Sequence, residues 1–308
     1  MKKFIIFIIC LIICLPIIDD IFFNDKIYNY LINEYFNKNY NIVTNVNALK
    51  PNEYVYTEYS SFVKSTDNFY PKNKNELLNI YYTALNNDYN EFSYYCDSKY
   101  QNCFNDIEDL SKDLKTFSYL NQLVHPFNSF KTIESNYINK RVDVKIEKKY
   151  SNNDIKKIND ELNDIINKLN INAYSNINDK IKLFHDYLAS INKYDKNKEN
   201  STSTYNSDSA VGALFEGYAV CSGYTDAMAI FLNMLNLENV RVITDKHAWN
   251  AVKIDDIWYH IDLTWDDPIT NTNEDIIQHD YFLISTDELL SKNDGEHNFS
   301  TIIYDFIK

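Results

Sequence analysis

Gly217-Tyr218-Ala219-Val220-Cys221-Ser222-Gly223-Tyr224, His247-Ala248-Trp249-Asn250-Ala251-Val252 and Trp258-Tyr259-His260-Ile261-Asp262-Leu263 mark the stretch that decides the fold. From Cys221 onward, Tyr224, Ala227, Met228, Phe231, Leu232 and Leu235 recur at spacings of three and four. That periodicity predicts a helix over 222–236 with one continuous apolar stripe. Gly217 and Gly223 flank its start, where the chain must turn tightly. Segments 240–244, 247–254 and 257–263 then read as an antiparallel meander. Asp255-Asp256 is the turn between the last two strands. As a two-residue hairpin turn it sets Ile254 opposite Ile257, so opposed residue numbers sum to 511.

In that register His247, Trp249, Trp258, His260, Asp262 and Thr264 share one face, read as the polar side. Val252, Ile254, Ile257, Tyr259, Ile261 and Leu263 share the other, read as the core side. His247 and Asp262 lie on a diagonal of ~7–8 Å between backbones, within reach of an imidazole–carboxylate hydrogen bond. A helix-start cysteine packed against the polar side completes a nucleophile, a base and an orienting acid. Cys221 attacks a carbonyl, His247 takes and returns the proton, and Asp262 holds the ring and stabilises the imidazolium. The helix dipole at Cys221, worth roughly 0.3–1 kcal/mol, is too weak alone to make a dominant thiolate, so the histidine is needed. The Cys221 backbone N–H, at an open helix end, is the natural oxyanion donor. Singly, each residue has a plainer reading: a small buried cysteine, a structural strand histidine, a strand-end cap, with His260 as a rival base. Jointly, the spacing favours chemistry.

Outward from this stretch, Ile155, Ile158, Leu162, Ile165, Ile166 and Leu169 form one helical face, and Ile177, Ile181, Phe184, Leu188 and Ile191 another. A polar loop at 196–209 follows. Between 61 and 150 the patterns mix: a helical stripe over 75–85, a strand at 91–96, a helix over 106–120, and a strand pair at 130–137 and 140–150. His125-Pro126 reads as a turn. The expected division is an export signal or anchor (1–23), a tether (24–60), a small α+β domain (61–150) and a catalytic domain (151–308).

Across all 308 residues, 30 Lys+Arg against 44 Asp+Glu give a net charge of −14, which leaves no electrostatic footprint for nucleic acid. With 45% hydrophobic residues the chain fills a core and is not disordered. Only four glycines occur, none before Gly212, so neither phosphate-binding glycine loop can be written. Met1-Lys2-Lys3 precedes an apolar run over 4–18, the plan of a secretory signal. No alanine precedes Ala48, and Cys10 and Cys14 each follow Ile, so neither usual cleavage pattern is present and retention as an N-terminal anchor is expected. The fifteen-residue run is short of the ~20 residues that span a bilayer. In an oxidising location Cys96 and Cys103 could pair, leaving Cys221 as the odd thiol; in a reducing one all three are free.

The segment from Gly212-Ala213-Leu214 through Tyr224 resembles the nucleophile segment of bacterial transglutaminase-like proteins. The His247–Val252 hexapeptide resembles their histidine strand, and the run from Trp258 through Leu263-Thr264-Trp265-Asp266-Asp267-Pro268 their aspartate strand. His185-Asp186-Tyr187-Leu188, followed by Tyr194-Asp195, is similar to the helix that precedes their core. The resemblance spans about 152–290. It implies an α+β fold with a papain-like core, in which the helix bearing the cysteine packs on an antiparallel sheet. It also implies a triad of Cys221, His247 and Asp262, with His247 rather than His260 as base. The implied chemistry is acyl transfer through a thioester on an amide or peptide bond, to water or to an amine; hydrolysis is slightly favoured because no sequence feature marks a lysine-acceptor tunnel. The expected partner is a protein or peptide substrate, including a cell-envelope component, and the expected location is secreted or anchored at the cell surface. No cofactor is expected. Asp266-Asp267 with Glu274-Asp275 lacks the ligand spacing of a calcium loop and reads as a solvated loop. Without H-E-x-x-H or Cys-x-x-Cys no zinc site is expected. The rival reading is a surface scaffold that keeps the fold without catalysis, with an inert Cys221 and a groove blocked by Tyr218 or Trp249.

Overall fold

The hairpin forms in the predicted register. In the computed structural model, which describes residues 52–198, 200–268 and 276–307, Ile254 pairs with Ile257 and Ala251 with His260. Asp255 and Asp256 both take positive φ, 50° and 65°, the turn whose twist matches that of the strands it joins.

The chain begins with α1 (Lys74–Asn86), β1 (Glu91–Tyr95), α2 (Cys103–Lys112), α3 (Leu114–Gln122), β2 (Phe130–Ile138) and β3 (Arg141–Lys148). Their strands form an antiparallel sheet in the order β1-β3-β2. The single helix expected over 106–120 is two, because Asp113 stops α2 and caps α3 by accepting from Thr116 N–H. Then follow α4 (Asn152–Lys168), α5 (Ile177–Ile191), β4 (Lys193–Tyr194), β5 (Tyr218–Ala219), α6 (Cys221–Met234), β6 (Asn239–Ile243), β7 (Ala248–Ile254), β8 (Ile257–Ile261), α7 (Leu263–Asp266), β9 (Phe282–Ile284) and α8 (Thr286–Ser291). The second sheet runs β6-β7-β8-β9, all antiparallel. Ser151 and Asp154 close a capping box at the start of α4. Mixed helix and antiparallel sheet is the fold class.

The parity of the two hairpin faces holds, but their polarity does not. Val252 and Ile261 share a core with Ala227, Met228 and Phe231 of α6, so the cysteine helix packs on the apolar face and not on the face carrying His260. That other face is buried too. Trp249, Ala251 and Trp258 share one continuous core with Val142 and Val144 of β3 and with Phe299 and Tyr304 near the C-terminus. Tryptophan and histidine tolerate this burial because their ring nitrogens are satisfied there: Trp249 Nε1–H donates to His260 Nδ1 at 3.0 Å, and His260 Nε2 meets Thr286 Oγ1 at 3.1 Å.

The apolar core therefore runs across the division expected at residue 150. Residues 52–60, expected as the end of a tether, pack instead: Tyr54 lies 4.8 Å from the His125 ring and Ser60 Oγ–H donates to the Ile303 carbonyl at 2.5 Å. His125 accepts from Phe127 N–H through Nδ1 and caps a short 3-10 turn. Among the described residues no helix is long and apolar enough to cross a membrane; the apolar run at 4–18 lies outside them.

Candidate active site

Cys221 opens α6. Val220 before it is extended, with φ −107° and ψ 177°, and makes no side-chain cap, while its carbonyl accepts from Gly223 N–H at 2.9 Å. Loop 196–209 holds this end: Val220 N–H donates to the Ser207 carbonyl at 2.9 Å. Gly223 is required by that approach, since a Cβ there would stand 2.2 Å from the Ser207 oxygen. Asp195 anchors the same loop, accepting from the hydroxyls of Ser203 and Ser207. Across the helix, Asn250 Nδ2–H of β7 donates to the Thr225 carbonyl at 3.0 Å and fixes α6 against the sheet.

His247 stands just before β7, in the turn from β6, where its carbonyl accepts from Thr244 N–H at 2.9 Å. Asp262 stands just after β8 and caps α7, accepting from the N–H groups of Thr264 and Trp265 at 2.9 and 3.2 Å. Both residues thus leave the sheet at the same end, and His247 Nε2 reaches Asp262 Oδ2 at 2.5 Å. The His247 ring stacks on Trp249 at 5.9 Å and meets Trp265 edge-on at 6.5 Å. With Nε2 committed to the carboxylate, Nδ1 is the ring nitrogen left for Cys221, whose side chain stands near enough to help raise the His247 pKa. Burial pushes the His247 pKa down, but the Asp262 carboxylate and the Cys221 side chain outweigh it and raise it to about 10. Burial likewise pushes Asp262 up, while His247 and His297 hold it well below the carboxylate range. Cys221 itself is partly exposed.

The structure brings Cys221, His247 and Asp262 together, at the end of the sheet and not on one of its faces. His260 is kept apart. Burial, then the nearby His297, depresses its pKa to about 3, and both ring nitrogens are engaged in the core. Trp249, named as a groove-blocking side chain in the scaffold reading, is 1% exposed beneath His247. Tyr218 stacks on Tyr205 at 4.1 Å.

One residue at this end of the sheet escapes sequence reasoning. His297 Nε2 contacts Asp262 Oδ2 at 2.8 Å, and its Nδ1 contacts Asp294 Oδ2 at 2.8 Å. Asp262 is therefore shared by two imidazoles. The only local signal is the three-residue spacing of Asp294 and His297 in a loop, which carries no chemistry by itself. The acidic run read as solvated also departs from expectation: Asp266 is 0% exposed and accepts from Tyr281 N–H, and Asp267 accepts from Tyr224 OH at 2.5 Å. Glu274 and Asp275 lie outside the described residues.

Residues 164–263 match the family model of the transglutaminase-like superfamily, a span holding Cys221, His247 and Asp262. This segment is similar to a transglutaminase-like core. Two solved structures are similar to the chain. One is a transglutaminase, 19% identical over 47% of this chain and 46% of its own, with a TM-score of 0.34. The other is a candidate cysteine protease from Cytophaga hutchinsonii, 12% identical over 47% of this chain and 64% of its own, with a TM-score of 0.28. The chain spans less than two thirds of either. No curated protein matches it. His297 lies beyond the matched segment.

Proposed function

We propose that the protein is an exported cysteine enzyme that transfers acyl groups from amide or peptide bonds through a thioester at Cys221. The observation that carries this is the 2.5 Å contact of His247 Nε2 with Asp262 Oδ2, which leaves Nδ1 of the same ring for the thiol at a helix mouth. A raised histidine pKa is what an imidazolium needs to persist beside a thiolate.

In this reading the thiolate sulfur attacks the substrate carbonyl carbon, and the carbonyl π electrons move onto oxygen, towards the Cys221 N–H. Collapse breaks the C–N bond, and the leaving nitrogen takes the proton carried by His247. Water then attacks the thioester carbon and gives a proton to His247, which returns it to the departing sulfur. Asp262 holds the ring throughout and is not protonated. An amine in place of water would give transamidation; the partial exposure of Cys221 supports hydrolysis, because water reaches the thioester. Cys96 and Cys103 form a disulfide, which supports the oxidising location that the N-terminal basic-apolar segment suggests. Retention at the cell surface by that segment is part of the proposal.

The test is turnover on glutamine-containing and peptide substrates, following ammonia or amine release and amine incorporation separately. Cys221→Ala should remove all of these while the circular dichroism spectrum stays unchanged. Undiminished turnover in that variant would overturn the proposal.

A further inference from the structure

A second constellation of ligating side chains lies apart from Cys221. His185 and Asp186 of α5 and His279, from the segment entering β9, place one ligand atom each within 4.8 Å of one another. Both imidazoles converge on a single carboxylate oxygen: His185 Nδ1 lies 2.9 Å and His279 Nε2 2.7 Å from Asp186 Oδ1. Lys182, one turn earlier on α5, brings its ammonium to 2.8 Å from Asp186 Oδ2 and 2.5 Å from His279 Nε2.

This arrangement carries a conflict. His279 Nε2 stands at hydrogen-bond distance from both a carboxylate and an ammonium. With a proton it can serve only the carboxylate; without one it can serve only the ammonium. A cation bound by lone pairs resolves this, since imidazole nitrogen and carboxylate oxygen then both act as ligands. Behind the cluster, the far nitrogen of His185 faces Asp266 Oδ2 at 3.3 Å, with both side chains 0% exposed. Neither of those two buried atoms makes a hydrogen bond of good geometry as they stand. A carboxylate behind the second nitrogen of a ligating histidine is the usual outer partner of a metal site, fixing the tautomer that offers the lone pair.

We propose that His185, Asp186 and His279 form a binding site for a divalent transition ion of the Zn²⁺ class, with Lys182 as the cation that takes its place otherwise. Two imidazoles and one carboxylate favour such ions over Ca²⁺ or Mg²⁺, which take oxygen ligands. Asp186 and His279 are each 36% exposed, which gives the ion an entry path and leaves room for a water ligand. Lys182 is 43% exposed and its bond to Asp186 is a surface pair at i,i+4, so displacing it costs little. The bound ion would clip α5 to the segment holding Tyr281, whose carbonyl accepts the Asp262 N–H at 3.0 Å. The other histidine–carboxylate cluster, His247, Asp262 and His297, differs, because all three residues are buried and leave an ion no open entry path. The proposed site does not depend on the acyl-transfer reading.

The test is calorimetric titration of the full chain with ZnCl₂, in a background carrying Cys10→Ala, Cys14→Ala and Cys221→Ala so that no free thiol contributes. One ion per chain is expected, with MgCl₂ giving no heat. His279→Ala and Asp186→Asn should each weaken binding by about 100-fold, at least what loss of an outer partner alone can cost. Lys182→Ala should tighten it, because the competing ammonium is gone. Zn²⁺ should also raise the melting temperature of this background protein and leave that of its His279→Ala derivative unmoved. No Zn²⁺ binding, binding unaffected by His279→Ala, or weaker binding in Lys182→Ala would each overturn the proposal.

Discussion

Asp226 and Asp262 are both buried carboxylates at 2% exposure or less, and the comparison between them separates scaffold from chemistry. Asp226, on α6, accepts from Arg241 Nη1 at 2.5 Å, Lys149 Nζ at 2.7 Å and Tyr150 OH at 2.5 Å. Arg241 carries on into the first sheet unit, donating to the carbonyls of Asn121 and Val124 and to Ser129 Oγ. A guanidinium stays charged at every ordinary pH and its fork is rigid, so this network holds two halves of the molecule in one arrangement. Asp262 instead holds two imidazoles, rings that, unlike a guanidinium, can exist with or without the second proton. The same acid does opposite jobs because its partners differ in whether they can change state.

The largest expected effect breaks this symmetry directly. Asp262→Asn should lower kcat by up to about 10⁴-fold, the scale seen when an orienting acid loses its charge, with the fold retained. His297→Gln, which removes one of the two imidazoles from Asp262, should lower kcat by less than Asp262→Asn does. Steady-state kinetics on a common substrate checks both. At Asp226 the effect moves to stability: Asp226→Asn or Arg241→Met should cost about 3–5 kcal/mol in urea unfolding, because one buried charge is left unpaired. Turnover per folded molecule should not change. An Asp226→Asn protein that stays stable but loses turnover would reverse the assignment of roles.

A smaller effect is expected at the helix mouth. Gly223→Ala sets a methyl carbon against the Ser207 oxygen, which stands 2.2 Å from that position, so the loop must shift at a cost of about 1–3 kcal/mol. Iodoacetamide modification of Cys221 should slow in the same variant. A further prediction sharpens the contrast through pH. His247 is raised to about 10 in the folded chain from ~6.5 when unfolded. Its partnership with Asp262 therefore adds stability that is fully present below pH ~6.5 and is lost as pH rises through about 10. The gap in urea midpoint between the wild type and His247→Gln should narrow across that window, whereas the gap for Arg241→Met should not.

Much of the site could be read from residues alone because its register depends on a local device. A two-residue turn at Asp255-Asp256 dictates every pairing along β7 and β8, and that pairing brings His247 and Asp262 to the same end. Alternation along the strands assigned residues correctly to two faces but misjudged the second as polar. Nothing near Trp249 or Trp258 announces that residues from the first sheet unit and the C-terminus will cover them. Asp266 was misread for the same reason: its burial comes from His185 and Tyr281, both distant in sequence.

Periodicity, turn chemistry and three short motifs were enough to settle the class of fold, the cysteine helix and the pairing of a histidine with an acid. These depend on interactions between near neighbours, and near neighbours are visible in a linear string. The placement of Cys221 at the sheet's end, the second imidazole on Asp262 and the His185–Asp186–His279 cluster were decided only when distant segments packed. Which separate segments meet depends on how the buried surfaces of the whole chain fit together, and no local pattern encodes that fit.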